Sequence, residues 1–134
     1  MQEREYHTDG TYIYSCQYHV IFCPKYRRKV LVDGADVRLK ELVLEKQVEY
    51  GFTVIEMEVM PDHVHLLIDI NPKKREIYRL VNLLKGYTSN VLRKEFPHIK
   101  RRIPTLWTHS KFIATVGAVS LDAVKKYIEE QKGK

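Results

Sequence analysis

Cysteine is scarce in this chain: Cys16 and Cys23 are the only two among 134 residues. Two thiols cannot staple a disulfide scaffold, and alone they make no structural zinc site. Their odd spacing sends them to opposite faces of a straight strand, so both are expected to be reduced and structural. Long apolar runs are lacking too, and none nears the roughly 18 residues of a membrane helix. The opening "MQEREYHTDG" is charged and polar, unlike a signal peptide, so the chain is expected in the cytoplasm. Repeats, low-complexity tracts and linker-like stretches are missing as well. Residues 1–134 therefore read as a single domain, long enough to bury a real core.

Positive charge is what the chain has in excess. The net charge is +6 and the pI is near 9.3. The charge is clustered as "KYRRK" at 25–29, "KKR" at 73–75, "KRR" at 100–102 and "KK" at 125–126. Each cluster alone is an ordinary solvated face; four on a small domain make nucleic acid the leading partner class.

"TYIYSCQYHVIFCPKYRRKV" opens as a strand of β-branched and aromatic residues that Pro24 ends. Tyr12, Tyr14 and Tyr18 would share one of its faces. Residues 36–50 place Val37, Leu39, Leu42, Val43 and Lys46 at helical spacing, with Gly51 as the C-cap. "FTVIEMEVM" and "VHLLIDI" alternate as strands around the turn "PDH", which predicts an antiparallel hairpin. Residues 75–95 put Ile77, Leu80, Val81, Leu84, Val91 and Leu92 on one helical face, with Gly86 weakening its middle. "FPHIKRRIP" reads as a basic loop and 112–116 as a short strand. The last segment reads as a helix capped by Ser120, with Asp122 in its first turn. The order β-α-β-β-α-β is the ferredoxin-like (RRM-like) plan, an α+β fold with a four-stranded antiparallel sheet. Its first and third strands are central, and the C-terminal helix is free to cover the open face.

Within "MPDHVHLLIDI", a strand period of two separates Val64, Leu66, Ile68 and Ile70 from His63, His65, Leu67 and Asp69. The aliphatic set belongs against a core. The two imidazoles are either ordinary hydrogen-bonded side chains or the two halves of a grip on one ion or phosphate. On the last helix, Leu121, Val124 and Ile128 form an apolar stripe, with Tyr127 and Gln131 stacked along its edge. They read either as boundary packing with an exposed glutamine, or as chemistry. Beside a divalent ion that polarises a phosphate, a tyrosine can attack phosphorus and form a phosphotyrosine. Two imidazoles and an amide oxygen make a neutral ligand set suited to Mn²⁺ or Mg²⁺.

The segments "FCPKYRRKVL", "EVMPDHVHLLI", "LLKGYTSNVL" and "ATVGAVSLDAVKKYIEEQ" resemble, in order and spacing, the single-tyrosine HUH transposases (TnpA type) of the insertion sequence 200/605 group. The resemblance implies His63 and His65 as metal ligands, Tyr127 as nucleophile and Gln131 as the third ligand. It implies a C-terminal catalytic helix, a homodimer with composite active sites in several members, and recognition of single-stranded DNA hairpins at transposon ends. Cleavage would leave a covalent 5′-phosphotyrosine and a free 3′-hydroxyl, which rejoining reverses without ATP. The chain departs from the pattern at "WTHSKF", where Lys111 replaces an aromatic, and it stops three residues after Gln131. Both bear on DNA or subunit contacts and on helix docking.

Lys25, Tyr26, Arg27, Arg28 and Lys29 are the first candidates for phosphate contacts, with Lys85 and Arg93 behind them. His7, His19, His98 and His109 show no ligand spacing and are expected to be structural or exposed. Asp62 is read as the cap of the hairpin turn, with orientation of an imidazole as its alternative. The rival readings are a hairpin- or RNA-binding module without catalysis, and a small metallohydrolase. The first fits poorly with histidines on the open sheet face, and the second leaves the basic charge unused.

Overall fold

The computed structural model describes residues 7–8, 13–116 and 121–134. A two-residue ribbon, β1 (His7–Thr8) against β2 (Ile13–Tyr14), precedes the main sheet. That sheet comprises β3 (Gln17–Phe22), β4 (Phe52–Met60), β5 (His63–Ile70) and β6 (Phe112–Thr115). Its order is β4-β5-β3-β6 and its pairs are all antiparallel. Helices α1 (Ala35–Glu45) and α3 (Ile77–Glu95) pack on one face. The short α2 (Gln47–Tyr50) and α4 (Pro97–Arg102) follow them, and α5 (Leu121–Glu130) runs into a 3-10 turn over Gln131–Gly133. This is the expected ferredoxin-like arrangement, with the first and third strands of the sheet at its centre.

β5 sorts its side chains as its alternation demands. Val64, Leu66 and Ile68 are 0% exposed and Ile70 is 3% exposed, all against Leu39, Leu42, Leu80, Val81 and Leu84 from the helices. Each such side chain contributes about 1.5–3 kcal/mol of hydrophobic stabilisation. β4 keeps pace only by a bulge. Its register jumps between Val54 and Glu56, so Val54, Met57 and Val59 pack toward the core. Glu56 and Glu58 pair with Leu67 and His65 and share their face.

Several expectations need correction. The first strand is split: Ile13–Tyr14 pairs with β1, and only Gln17–Phe22 enters the main sheet. Tyr14 and Tyr18 therefore belong to different sheets, and Tyr12 lies outside the described residues. The helix over 36–50 breaks at Lys46 (φ −92°, ψ 0°). Val37 is 58% exposed and Ala35 takes its place in the core. Gly51 does cap the second piece, at φ +76°, where a Cβ would also meet the Lys74 side chain at 2.7 Å. The expected loop at 97–102 is the helix α4. Pro97 starts it with a preset φ, while Ile99 and Ile103, four residues apart, are buried. Gly86 leaves α3 continuous.

Both cysteines are free thiols, and burial pushes Cys23 up to about 12. Among the described residues no helix is long and apolar enough to cross a membrane. The expected cap Ser120 and the side chain of Leu121 lie outside the described residues. Ile21 points away from the helices, in register with His65, yet it is 0% exposed. On that same face the Tyr127 ring of α5 lies 5.4 Å from the ring of Phe112. α5 therefore covers part of the open face, as the topology allowed.

Leu66→Ala should cost about 2–5 kcal/mol of stability, because a fully buried central-strand side chain leaves a cavity. Urea denaturation with an unchanged m-value checks it.

Candidate active site

The histidines stand on the open face of β5, and each has a defined partner. His63 Nδ1 lies 2.9 Å from Asp62 Oδ1, and the other oxygen of Asp62 takes Arg27 Nε at 2.8 Å. Burial opposes ionisation of Asp62, but the His63 hydrogen bond and the Arg27 charge outweigh it and hold the carboxyl below its ordinary range. Asp62 thus orients the imidazole and does more than cap the turn. His65 Nε2 lies 3.0 Å from His19 Nδ1, with the ring centroids 5.3 Å apart. Burial, then the neighbouring His19, pull His65 below the ordinary imidazole value. His19 was not expected at this site. Its signal is topological: with β3 beside β5, period two puts Gln17, His19 and Ile21 on the histidine face.

The second half of the site is built on α5 and the segment before β6. Gln131 is 2% exposed, so it is not the exposed glutamine of the simple packing alternative. Its Oε1 accepts from Ser110 Oγ at 2.9 Å, and its Nε2 donates to the Tyr127 carbonyl at 3.3 Å. Tyr127 Oη is 3.0 Å from the same Ser110 Oγ. Burial pushes the phenol up to about 12. Ser110 carries no motif of its own and could not be singled out from the sequence.

Arg27 ties the two halves together. Besides Asp62, its guanidinium donates to the Ile128 carbonyl at 3.1 Å and to Glu129 Oε2 at 3.3 Å. Tyr26 and Arg27 both take left-handed backbone, at φ 58° and 52°. Such residues are strained by about 1–3 kcal/mol each, and here that geometry accompanies a guanidinium aimed inward.

The candidate phosphate contacts divide accordingly. Arg27 is engaged inside, with its side chain 16% exposed. Lys85 is 8% exposed, and its ammonium bonds the Thr108 carbonyl at 2.8 Å. Burial pushes it down to about 8. Both side chains are turned to partners within the protein. Arg93 donates to the Ile103 carbonyl at 3.1 Å. Tyr26, Arg28 and Lys29 are exposed, and Lys25 lies 5.2 Å from the centre of the Tyr26 ring. Lys111 sits 4.0 Å over the ring of Tyr78.

The histidines suit a divalent ion. Asp62 holds Nδ1 of His63 and leaves Nε2 available, the usual arrangement behind a metal-binding imidazole. His65 faces His19 through Nε2, and burial and that neighbour disfavour its charged form, the form that cannot coordinate. Among the described residues no group of three or more His, Cys, Asp or Glu gathers for an ion. One concavity of about 460 Å³ lies toward the other end of β5, lined by Tyr14, Gln47, Phe52, Ile70 and Lys74 among others.

Residues 12–131 match the family described as Transposase IS200 like. The chain is 38% identical to the ISDra2 transposase TnpA of Deinococcus radiodurans over 125 residues, 92% of this chain and 89% of that protein. It is 33% identical to the IS200 transposase of Salmonella typhimurium over 125 residues, 89% and 81% of the two. The fold superposes on the crystal structure of a transposase from D. radiodurans with a TM-score of 0.86. That match is 33% identical and covers 96% of this chain and 99% of that one. A REP-associated tyrosine transposase bound to a REP hairpin shares the fold at a TM-score of 0.54 and 12% identity, over 96% and 68% of the chains. Fold and family thus define a transposase, a class whose work is DNA cleavage and transfer. The chain belongs to the IS200-like transposase family, in the IS200/IS605 group.

Because folded Asp62 is held below its ordinary value, its stabilising effect is present above about pH 4 and is lost as pH falls through the lower folded value. Asp62→Asn should flatten this acid limb of the stability curve, read by thermal melts in an acidic pH series. An unchanged limb would show that the Arg27 and His63 contacts do not set it.

Proposed function

We propose that this protein cleaves and rejoins single-stranded DNA at the hairpin-bearing ends of its mobile element, with Tyr127 as nucleophile. The observation that carries this reading is the position of the helix bearing Tyr127, which runs directly into the turn bearing Gln131. It is bound through Arg27 to the same carboxylate that holds His63. Family membership and the hairpin named with the fold neighbour support the choice of substrate.

In this reading Tyr127 Oη attacks the scissile phosphorus and loses its proton. The bond from phosphorus to the 3′ oxygen breaks, and that oxygen leaves as a free 3′-hydroxyl. The 5′ side stays on the enzyme as a phosphotyrosine. A different 3′-hydroxyl then attacks phosphorus and releases the tyrosine, so one phosphodiester replaces another. A divalent ion, Mg²⁺ or Mn²⁺, would polarise the phosphate, and His63, His65 and Gln131 would hold it. A phenol pushed up to about 12 by burial is a weak nucleophile by itself, so attack needs such a field beside it. Lys25, Tyr26, Arg28, Lys29 and Arg93 lie outside the chemistry and would anchor the DNA backbone. The working unit is a homodimer.

With end-labelled single-stranded DNA from the element and Mn²⁺ or Mg²⁺, the protein should form a denaturant-resistant adduct. Tyr127→Phe and chelation should each abolish it, and His63→Ala should remove the metal response. Binding without an adduct under any metal would make the protein a hairpin-binding regulator instead. Mixing Tyr127→Phe chains with His63→Ala chains reads how the dimer divides the site, because restored adduct assigns tyrosine and histidines to different subunits.

Replacing Arg28 and Lys29 together by alanine should weaken hairpin binding. The slope of log affinity against log salt should fall by about one for each phosphate that is no longer neutralised. A salt titration that keeps the wild-type slope would remove both residues from the interface.

A further inference from the structure

Lys85 is the only buried lysine among the described residues. Its ammonium faces three consecutive carbonyls, at 2.8 Å from Thr108, 3.4 Å from His109 and 3.3 Å from Ser110. An ammonium has three donors and no acceptor, so it draws a stretch of chain around itself. The same stretch is tied twice more. Thr108 N donates to the Cys23 carbonyl at 2.9 Å, and Thr108 Oγ1 donates to the Lys134 carbonyl at 3.0 Å. A segment outside the regular helices and strands is thereby fixed at three points, and its last residue is Ser110.

The Ser110 hydroxyl has one proton. It donates that proton to Gln131 Oε1 at 2.9 Å, so the 3.0 Å contact to Tyr127 leaves the phenol as donor and Ser110 as acceptor. The bond from Gln131 Nε2 to the Tyr127 carbonyl fixes which end of the amide carries the oxygen. One hydroxyl thus sets the torsions of two side chains a helical turn apart. It leaves one lone pair of the amide oxygen and those of the phenol oxygen unused by these contacts.

We propose that Ser110 is a positioning residue for strand transfer, holding Tyr127 and Gln131 in fixed relation so that nucleophile and amide ligand are presented together. This rests on Tyr127 being the nucleophile. It makes the pinned segment before β6 part of the catalytic machinery, although it touches no substrate atom. The role differs from simple packing because the Ser110 side chain is small and half-buried, so its substitution by alanine removes chiefly the hydroxyl that Tyr127 and Gln131 share.

The test compares Ser110→Ala and Ser110→Thr with wild type in single-turnover adduct formation on the element's hairpin DNA with Mn²⁺. Ser110→Ala should slow adduct formation by about 10- to 100-fold, the usual cost of losing a residue that orients a ligand, with hairpin affinity unchanged. Ser110→Thr restores the hydroxyl and should recover most of the rate. In protein free of metal and DNA, the tyrosine ¹³Cζ resonance that disappears in Tyr127→Phe should shift in Ser110→Ala. Wild-type speed in Ser110→Ala, equal slowness in Ser110→Thr, or an unmoved Tyr127 resonance would each overturn the proposal. If Tyr127→Phe keeps its adduct, the nucleophile assignment fails and this inference with it. Loss of adduct in Tyr127→Phe beside full speed in Ser110→Ala sinks the inference alone.

Discussion

The two faces of β5 have incompatible tasks, and the rest of the structure is arranged around keeping them apart. One face carries Val64, Leu66, Ile68 and Ile70 into the core, and the other carries His63 and His65. A slip of one residue would exchange the sets, burying imidazoles and exposing aliphatics. The strand is central, with β3 and β4 bonded along its two edges, so its register is pinned twice. That rigidity suits the proposed metal site, whose two imidazoles would have to keep their spacing, and a strand interior holds it better than a loop. The bulge in β4 extends the same logic, since it turns Glu56 and Glu58 away from the core and places them on the histidine face.

Arg27 is where the sheet meets the tyrosine helix. An ion pair as sheltered as Arg27–Asp62, with side chains 16% and 14% exposed, gains little from charge alone once desolvation is counted. Its geometry is what distinguishes it. The guanidinium fork reaches Asp62 on one side and the carbonyl of Ile128 on the other, while Asp62 uses its second oxygen on His63. Lysine, with a single nitrogen, could not span those partners in the same way. The left-handed backbone at Tyr26 and Arg27 is a local cost accepted for this placement. A cationic motif that reads as a DNA clamp in the sequence therefore has a divided use. Its central arginine works inward, and Arg28 and Lys29 face solvent.

Lys85 teaches the same lesson from the opposite direction. In the sequence it is a lysine on a helix beside a glycine, indistinguishable from a solvated cation. In the fold it faces inward beside the segment before β6, and carbonyl oxygens replace the water it has lost. A buried cation needs such acceptors to remain in place. Charge type was legible; its direction depended on which side of α3 the sheet and the 108–110 segment came to occupy. Val37 and Ile99 follow the same reasoning. One is apolar yet exposed on α1, and the other is buried in a stretch that reads as basic loop.

By itself the sequence determined what local periodicity and residue chemistry can carry. The alternation of 63–70, the apolar faces of the helices, the stop at Gly51 and the paired placement of Tyr127 and Gln131 all follow from the geometry of one strand or one helix. The strand order also followed, once the elements were counted. Only the tertiary structure decided which side chains from distant segments meet. His19 against His65, Arg27 against both Asp62 and α5, and Ser110 between Tyr127 and Gln131 join residues 17 to 102 positions apart. The physical reason is that hydrogen bonds and ion pairs are short-ranged and directional. They are set by ångström-scale packing between elements, which leaves no period in the chain to read.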